Sequence, residues 1–325
     1  MWLLFLVYSG LIIVAGTQLS KNAELVSDGL GLSKAWAGTL LLSIGTSLPE
    51  LVASCRAAMI GAPDLAGGNI FGSNLFNLLI LILVGILYPR GLYRARRKRG
   101  LIVTALFSII LAGISLVAIV VKLPWGIGWV GLDSIFVFGM YLLASAIITG
   151  LERNRNGSRV EADNKTTRSG LARALYFYLL AAAIIVFAGV GLTDTSKLIA
   201  LETGLGETMI GSILIAAATS LPELATSITS ICMGLPEMAI GVVFGSNLFN
   251  ILLFFFGDIF YREGLLLGSL SFQHLVTAVM GMVLTTVAVI GLLIPSRRNI
   301  FGINAPSWVI LGGYLVTFLY LFYMG

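Results

Sequence analysis

Apolar residues run along this chain in long blocks, and polar residues gather in the short breaks between them. A helix of about 20 apolar residues crosses the hydrocarbon core of a bilayer. Blocks of that kind fall near 2–18, 35–60, 66–88, 101–121, 127–150, 171–192, 208–233, 238–260, 272–294 and 307–324. The pattern predicts ten membrane-spanning helices. The only long polar and charged stretch, residues 151–170 (LERNRNGSRVEADNKTTRSG), reads as a linker. It divides the chain into two five-helix halves, 1–150 and 171–325. The opening block has no basic segment ahead of it and reads as the first span, not as a cleaved signal peptide.

The halves share more than helix count. Residues 46–51 read TSLPEL and residues 71–77 read FGSNLFN, and both recur unchanged 173 residues later, at 219–224 and 244–250. Aligned without a gap, 45–79 and 218–252 agree at 19 of 35 positions. Similarity of this length argues for an internal duplication. An odd number of crossings separates equivalent spans, so the second and seventh traverse the membrane in opposite directions. The fold class expected is therefore an all-α polytopic membrane protein of ten transmembrane helices in two inverted-topology five-helix repeats. Transporters with this architecture bind their substrate near the midplane, where the repeats meet.

Composition agrees with a membrane location. Apolar residues make up 58% of the chain and charged residues 11%, with a mean hydropathy of +1.00. Soluble domains carry roughly 25% charged residues. Basic residues then orient the chain, because cytoplasmic loops collect Lys and Arg. With both termini outside, 16 of the 20 basic residues fall on inner loops, among them the cluster 94–99 (RARRKR) and the linker 151–170. Lys122, Lys197 and Arg262 fall outside, and Arg56 lies within the second span. The net charge of +5 reflects this topology and not a nucleic-acid partner.

Ionisable groups deep in a membrane are costly and by default mark function. Glu50 and Glu223 are the acids nearest the centres of their spans. Ser43, Thr46 and Glu50 share one face of the second span, and Ala216, Thr219 and Glu223 share the same face of the seventh. The third span adds Ser73 and Asn77, and the eighth adds Ser246 and Asn250. Pro49 and Pro222 have no N–H, so each leaves a carbonyl of the preceding turn without its helical donor and bends the helix. Irregular backbone at membrane depth is tolerated where it is buried in protein or lines a cavity. Carboxylates, hydroxyls, amide oxygens and freed carbonyls suit a hard cation such as Ca²⁺, which takes 6–8 oxygens, or Na⁺. A structural kink carrying a hydrogen-bonded Glu is the plain alternative, weakened because the motif occurs twice.

The paired TSLPEL and GSNLFN segments resemble the two alpha-repeats of the cation/Ca²⁺ antiporter superfamily, in particular its prokaryotic Na⁺/Ca²⁺ exchangers. The resemblance implies that Glu50 and Glu223 are central ligands for transported Ca²⁺ and Na⁺. It implies that Thr46, Ser47, Thr219, Ser220, Ser73 and Ser246 contribute hydroxyl or carbonyl oxygens, and Ser43 and Ala216 backbone carbonyls. It also implies that the first and sixth helices, read as small, act as sliding gates. Many Na⁺/Ca²⁺ exchangers have Asp at the position of Asn250; here Asn77 and Asn250 are both Asn. Two glutamates balance one Ca²⁺, whereas three Na⁺ would leave a net positive charge. H⁺/Ca²⁺ antiporters of the superfamily carry a further acid in the third and eighth spans, which this chain lacks.

The expected function is thus exchange of Ca²⁺ for Na⁺ by alternating access, with an H⁺/Ca²⁺ antiporter or a cation channel as alternatives. No enzymatic activity, cofactor or nucleic-acid partner is expected. The protein is expected to work as a monomer in a prokaryotic plasma membrane, in contact with lipid. Cys55 and Cys232 read as buried packing residues. His274 reads as a satisfied interfacial histidine, Arg56 as snorkelling to the outer surface, and Asp133 and Asp258 as solvated at span ends.

Overall fold

A computed structural model describes residues 1–29, 45–87, 99–155, 168–294, 299–300 and 303–324. The described part is helical apart from two short hairpins, Gly126–Ile127 with Val130–Gly131 and Asn299–Ile300 with Ile303–Asn304. In chain order the helices are α1 (Trp2–Gly29), α2 (Leu48–Met59), α3 (Pro63–Leu87), α4 (Arg99–Val121), α5 (Leu132–Arg155) and α6 (Arg168–Thr203). There follow α7 (Glu207–Thr219), α8 (Leu221–Cys232), α9 (Pro236–Phe260), the short α10 (Leu266–Ser269), α11 (Gln273–Leu293) and α12 (Ala305–Met324).

Eight of these are long and apolar enough to cross a membrane, and α7 with α8 makes a ninth if that bent pair is one span. The predicted span 35–60 is described only from residue 45 onward, so its first half lies outside the described residues. The first and sixth helices are the opposite of small. They run 28 and 36 residues, well past the apolar blocks that predicted them, and carry polar turns beyond the hydrocarbon length.

Burial separates the helices into two classes. In α3 and α9, 67% and 78% of the apolar window is buried, against 22–44% in the other six helices that qualify as spans by themselves. The two helices that carry GSNLFN therefore form the centre, joined by contacts such as Phe71 against Phe254 at 5.1 Å between ring centroids. The peripheral helices turn Leu3, Phe187 and Val14 outward, and a lipid environment is what makes such a surface stable.

Two devices set the centre. α2 and α8 end alike, on Gly61 and Gly234, each at positive φ (65° and 75°). In both, the glycine N–H and the next N–H turn back onto the last helical turn, Gly61 to Ala58 and Ala62 to Ala57, Gly234 to Ile231 and Leu235 to Ser230. This is the paired capping pattern that glycine permits, and Pro63 or Pro236 then opens the next helix. Second, α3 and α7 cross backbone to backbone. A Cβ on Gly68 would come within 2.8 Å of the Ser212 nitrogen, and one on Gly72 within 2.3 Å of the Ser212 oxygen. At this crossing α7 widens into a π-turn over Ile210–Ile215, a local form common at functional sites.

Candidate functional site

The broken helices follow from the repeated Ser-Leu-Pro-Glu. Ser47 (φ −90°, ψ 12°) and Ser220 (φ −86°, ψ 7°) each leave helical geometry by almost the same amount. The proline two residues later cannot donate to the preceding turn, so the helix restarts at the following leucine. At the second copy the two segments meet at 41°. Glu50 and Glu223 thereby sit in the first turn of a fresh helix, where the N-terminal dipole favours a negative side chain. Both are fully buried.

The repeats bond across each other. Ser47 Oγ lies 3.0 Å from Glu223 Oε1, and Ser220 Oγ lies 2.9 Å from Glu50 Oε1. Ser246 Oγ joins the first pair, 3.2 Å from Ser47 Oγ and 3.3 Å from Glu223 Oε1. Beside them, α3 and α9 are tied through four asparagines. Asn74 Nδ2 donates to the Asn247 carbonyl (3.3 Å) and Asn247 Nδ2 to the Asn74 carbonyl (3.2 Å). Asn77 Nδ2 donates to Asn247 Oδ1 and Asn250 Nδ2 to Asn74 Oδ1, both at 3.0 Å.

What these bonds leave over is a set of oxygens. Glu50 Oε2, Glu223 Oε2, Ser73 Oγ, Asn77 Oδ1 and Asn250 Oδ1 are buried and have no hydrogen-bond partner. Unsatisfied buried oxygens are costly, and among the described residues no Lys or Arg pairs with either glutamate. Carboxylate, hydroxyl and amide oxygens left without a donor are the atom types that a hard cation takes as ligands.

Ten of the twelve residues singled out in the sequence belong to this constellation by bonds or orphaned atoms: Glu50, Glu223, Ser47, Ser220, Ser73, Ser246, Asn77, Asn250, Thr46 and Thr219. Thr219 Oγ1 is 3.0 Å from the Ile215 carbonyl and 3.1 Å from Asn69 Oδ1. Thr46 is buried within reach of Glu223. Ala216 is buried too, but its carbonyl already accepts the Ser220 N–H at 3.1 Å. Ser43 lies outside the described residues.

Asn69 escapes the sequence reading. Its Nδ2 donates to the Glu50 carbonyl (3.1 Å) and to Ser54 Oγ (2.8 Å), holding the first turn of α2 against α3. Matching the repeats could not find it, because Val242 stands at the equivalent place. The equivalent of Ser54 is Ser227, whose hydroxyl accordingly has no partner.

Several expectations outside the site need correction. Arg56 does not snorkel freely but makes a two-point ion pair with Asp194 of α6 (2.7 and 2.9 Å). Asp258 is fully buried and accepts the Gly131 and Leu266 N–H groups (2.6 and 2.7 Å), and Asp133 is buried beside it. Asp258 thereby ties the 126–131 hairpin to the 261–266 loop, and Asp133 accepts the Ser134 N–H (2.8 Å), arrangements that sequence distance from the span end could not reveal. His274 is buried, 3.1 Å from Asp64, with its Nδ1 lacking a partner. Cys55 is buried as expected, but Cys232 is exposed.

Comparison with known proteins decides the family. The model of the sodium/calcium exchanger protein family matches residues 1–150 and 173–325. The chain belongs to the sodium/calcium exchanger family. The segment left between the two matches falls on the polar linker. Relatives include inner membrane protein YrbG of Escherichia coli, 28% identical over 250 residues (75% of this chain and 74% of that one). Sodium/calcium exchanger MaX1 of Methanosarcina acetivorans is 28% identical over 264 residues (72% and 75%).

Solved structures share the fold at lower identity. YfkE matches with a TM-score of 0.66 at 20% identity, covering 98% of this chain and 91% of that one. The sodium-calcium exchanger NCX_Mj matches with 0.62 at 23% (98% and 99%). The H⁺/Ca²⁺ exchanger CAX matches with 0.65 at 14% (99% and 87%). Exchangers described with different coupling ions thus carry this fold equally well.

Proposed function

We propose that the chain is a secondary antiporter that exchanges Ca²⁺ for Na⁺ by alternating access. The observation that carries this reading is the buried set of unpartnered oxygens between two broken helices, two of them carboxylate oxygens. Glu50 and Glu223 are the central ligands, with Ser73, Asn77 and Asn250 completing an oxygen shell and Ser47, Ser220 and Ser246 orienting the carboxylates. Thr46 and Thr219 add hydroxyl oxygens and Ala216 a carbonyl oxygen, and Ser43 is proposed to match Ala216 by its place in the repeated sequence. Such a shell fits a hard cation with oxygen preference. Ca²⁺ and Na⁺ compete for it, because a doubly negative buried site is unstable empty and the carrier crosses loaded with one ion or the other.

In this reading the chain has ten spans in two inverted halves, both termini outside and the linker in the cytoplasm. The crossed Ser47–Glu223 and Ser220–Glu50 pairs support it, since a two-fold axis between the halves exchanges one for the other. Na⁺ is favoured over H⁺ as the coupling ion because positions 77 and 250 hold amides and not acids.

Purified protein in proteoliposomes tests the reading. An outward-directed Na⁺ gradient drives ⁴⁵Ca²⁺ uptake, and Glu50→Gln or Glu223→Gln each abolishes it. Uptake that ignores Na⁺ and follows a pH gradient would assign proton coupling. Passive Ca²⁺ flux with no counter-ion would make the protein a channel, and near-normal exchange in either Gln variant would dismiss the shared site.

A further inference from the structure

We propose that Asn74 and Asn247 are positioning residues that decide which end of the Asn77 and Asn250 amides faces the ion. The inference rests on the cation site above. An asparagine presents an acceptor and a donor of nearly equal size. Next to two glutamates, a free amide would turn its NH₂ toward the carboxylates and repel a cation. Something must hold it the other way.

The bonds between α3 and α9 do so by a chain of elimination. A backbone carbonyl only accepts, so the Asn74 and Asn247 carbonyls require the NH₂ end of the opposite residue, at 3.3 and 3.2 Å. With Nδ2 committed, Oδ1 of Asn74 and of Asn247 can only accept. They therefore require the NH₂ ends of Asn250 and Asn77, at 3.0 Å each. What remains of Asn77 and Asn250 is Oδ1, and both are buried without a partner. Reversing any one amide would set two acceptors, or two donors, face to face at about these distances. All four side chains are buried (7% exposed at most), so water does not relieve such a clash.

The clamp also restricts what positions 77 and 250 can be. Each must donate to its partner, which an amide does and an ionised carboxylate cannot. An acid placed there is held protonated, with its O–H toward Asn74 or Asn247. The two residues that touch no ion therefore set the charge of the two that do.

Ca²⁺ binding to the purified protein, measured by equilibrium dialysis with ⁴⁵Ca²⁺, tests this through two double-mutant cycles. Asn247→Leu keeps the shape and removes the acceptor for Asn77; it weakens binding about tenfold, the worth of one properly placed oxygen. In an Asn77→Ala background the same change weakens it less than about twofold, because no amide is left to orient. Asn74→Leu and Asn250→Ala form the mirror cycle with the same outcome. A residue that merely holds the helices together gives additive losses, and additivity in both cycles overturns the clamp. So does unchanged binding in either Leu variant. If a Leu variant is not monodisperse, Asn247→Ala or Asn74→Ala replaces it, again removing the acceptor for Asn77 or Asn250; unchanged binding there also overturns the clamp. Wild-type protein that binds no Ca²⁺ overturns the cation site itself, and the clamp with it.

Discussion

Replacing Gly72 by alanine inserts one methyl group where α3 crosses the π-turn of α7. The new Cβ would lie 2.3 Å from the Ser212 oxygen, 2.5 Å from its Cα and 2.7 Å from its carbonyl carbon. Comfortable carbon contacts are about 3.5–4.0 Å, so the backbones must part by roughly 1 Å. All three obstructing atoms are main chain, and none can swing aside as a side chain would. Overpacking of this kind costs about 1–3 kcal/mol, offset by up to about 1 kcal/mol from alanine's better helix propensity. The melting temperature, followed by tryptophan fluorescence in detergent, is expected to fall by several degrees. Exchange suffers more than stability, since Gly72 adjoins Ser73 and α7 leads into Ser220 and Glu223. A displacement of about 1 Å at a preorganised site can lower a rate by about 100-fold. Gly139→Ala and Gly281→Ala serve as controls, as nothing lies within 4 Å of their added methyl groups. Wild-type melting and wild-type ⁴⁵Ca²⁺ uptake in Gly72→Ala would refute the close-crossing account.

Ser47→Ala and Ser220→Ala remove equivalent hydrogen bonds to Glu223 and Glu50. Each is expected to weaken Ca²⁺ binding by about 1.5–3 kcal/mol, with the two values close to each other; dialysis that finds one variant silent would break the two-fold argument. Arg56→Ala and Asp194→Ala each cost no more than about 1 kcal/mol of stability, because the pair is part-exposed (32% and 40%), and leave Ca²⁺ affinity unchanged. Asp258→Asn keeps one acceptor for two buried N–H groups. It is expected to lower stability by about 1–3 kcal/mol without altering Ca²⁺ affinity, and a loss of affinity would place Asp258 in the transport path.

Much of the site is legible because duplication marks it. Glu50, Ser73 and Asn77 recur as Glu223, Ser246 and Asn250 at one fixed offset, and apolar context makes every polar member conspicuous. Asn69 shows the limit of that signal. Its partners Ser54 and the Glu50 carbonyl lie on a different helix, and its own equivalent is a valine, so no repeat points to it. Arg56 and Asp194 are likewise 138 residues apart, and a basic residue within a span says nothing about which acid will meet it.

The chain by itself determined what depends on local physics and on composition. Apolar block length specifies helices that cross a membrane, Ser-Leu-Pro-Glu specifies where two helices break, and Gly61 and Gly234 specify where they end. Only the tertiary structure decided which oxygens are spoken for and which are left over. Ser47 pairs with the glutamate of the other repeat and not its own, and Asn74 takes up the amide of Asn250. Hydrogen bonding between distant segments depends on atoms meeting within about 3 Å, and that meeting is made by the packing of α3 on α9 and α7.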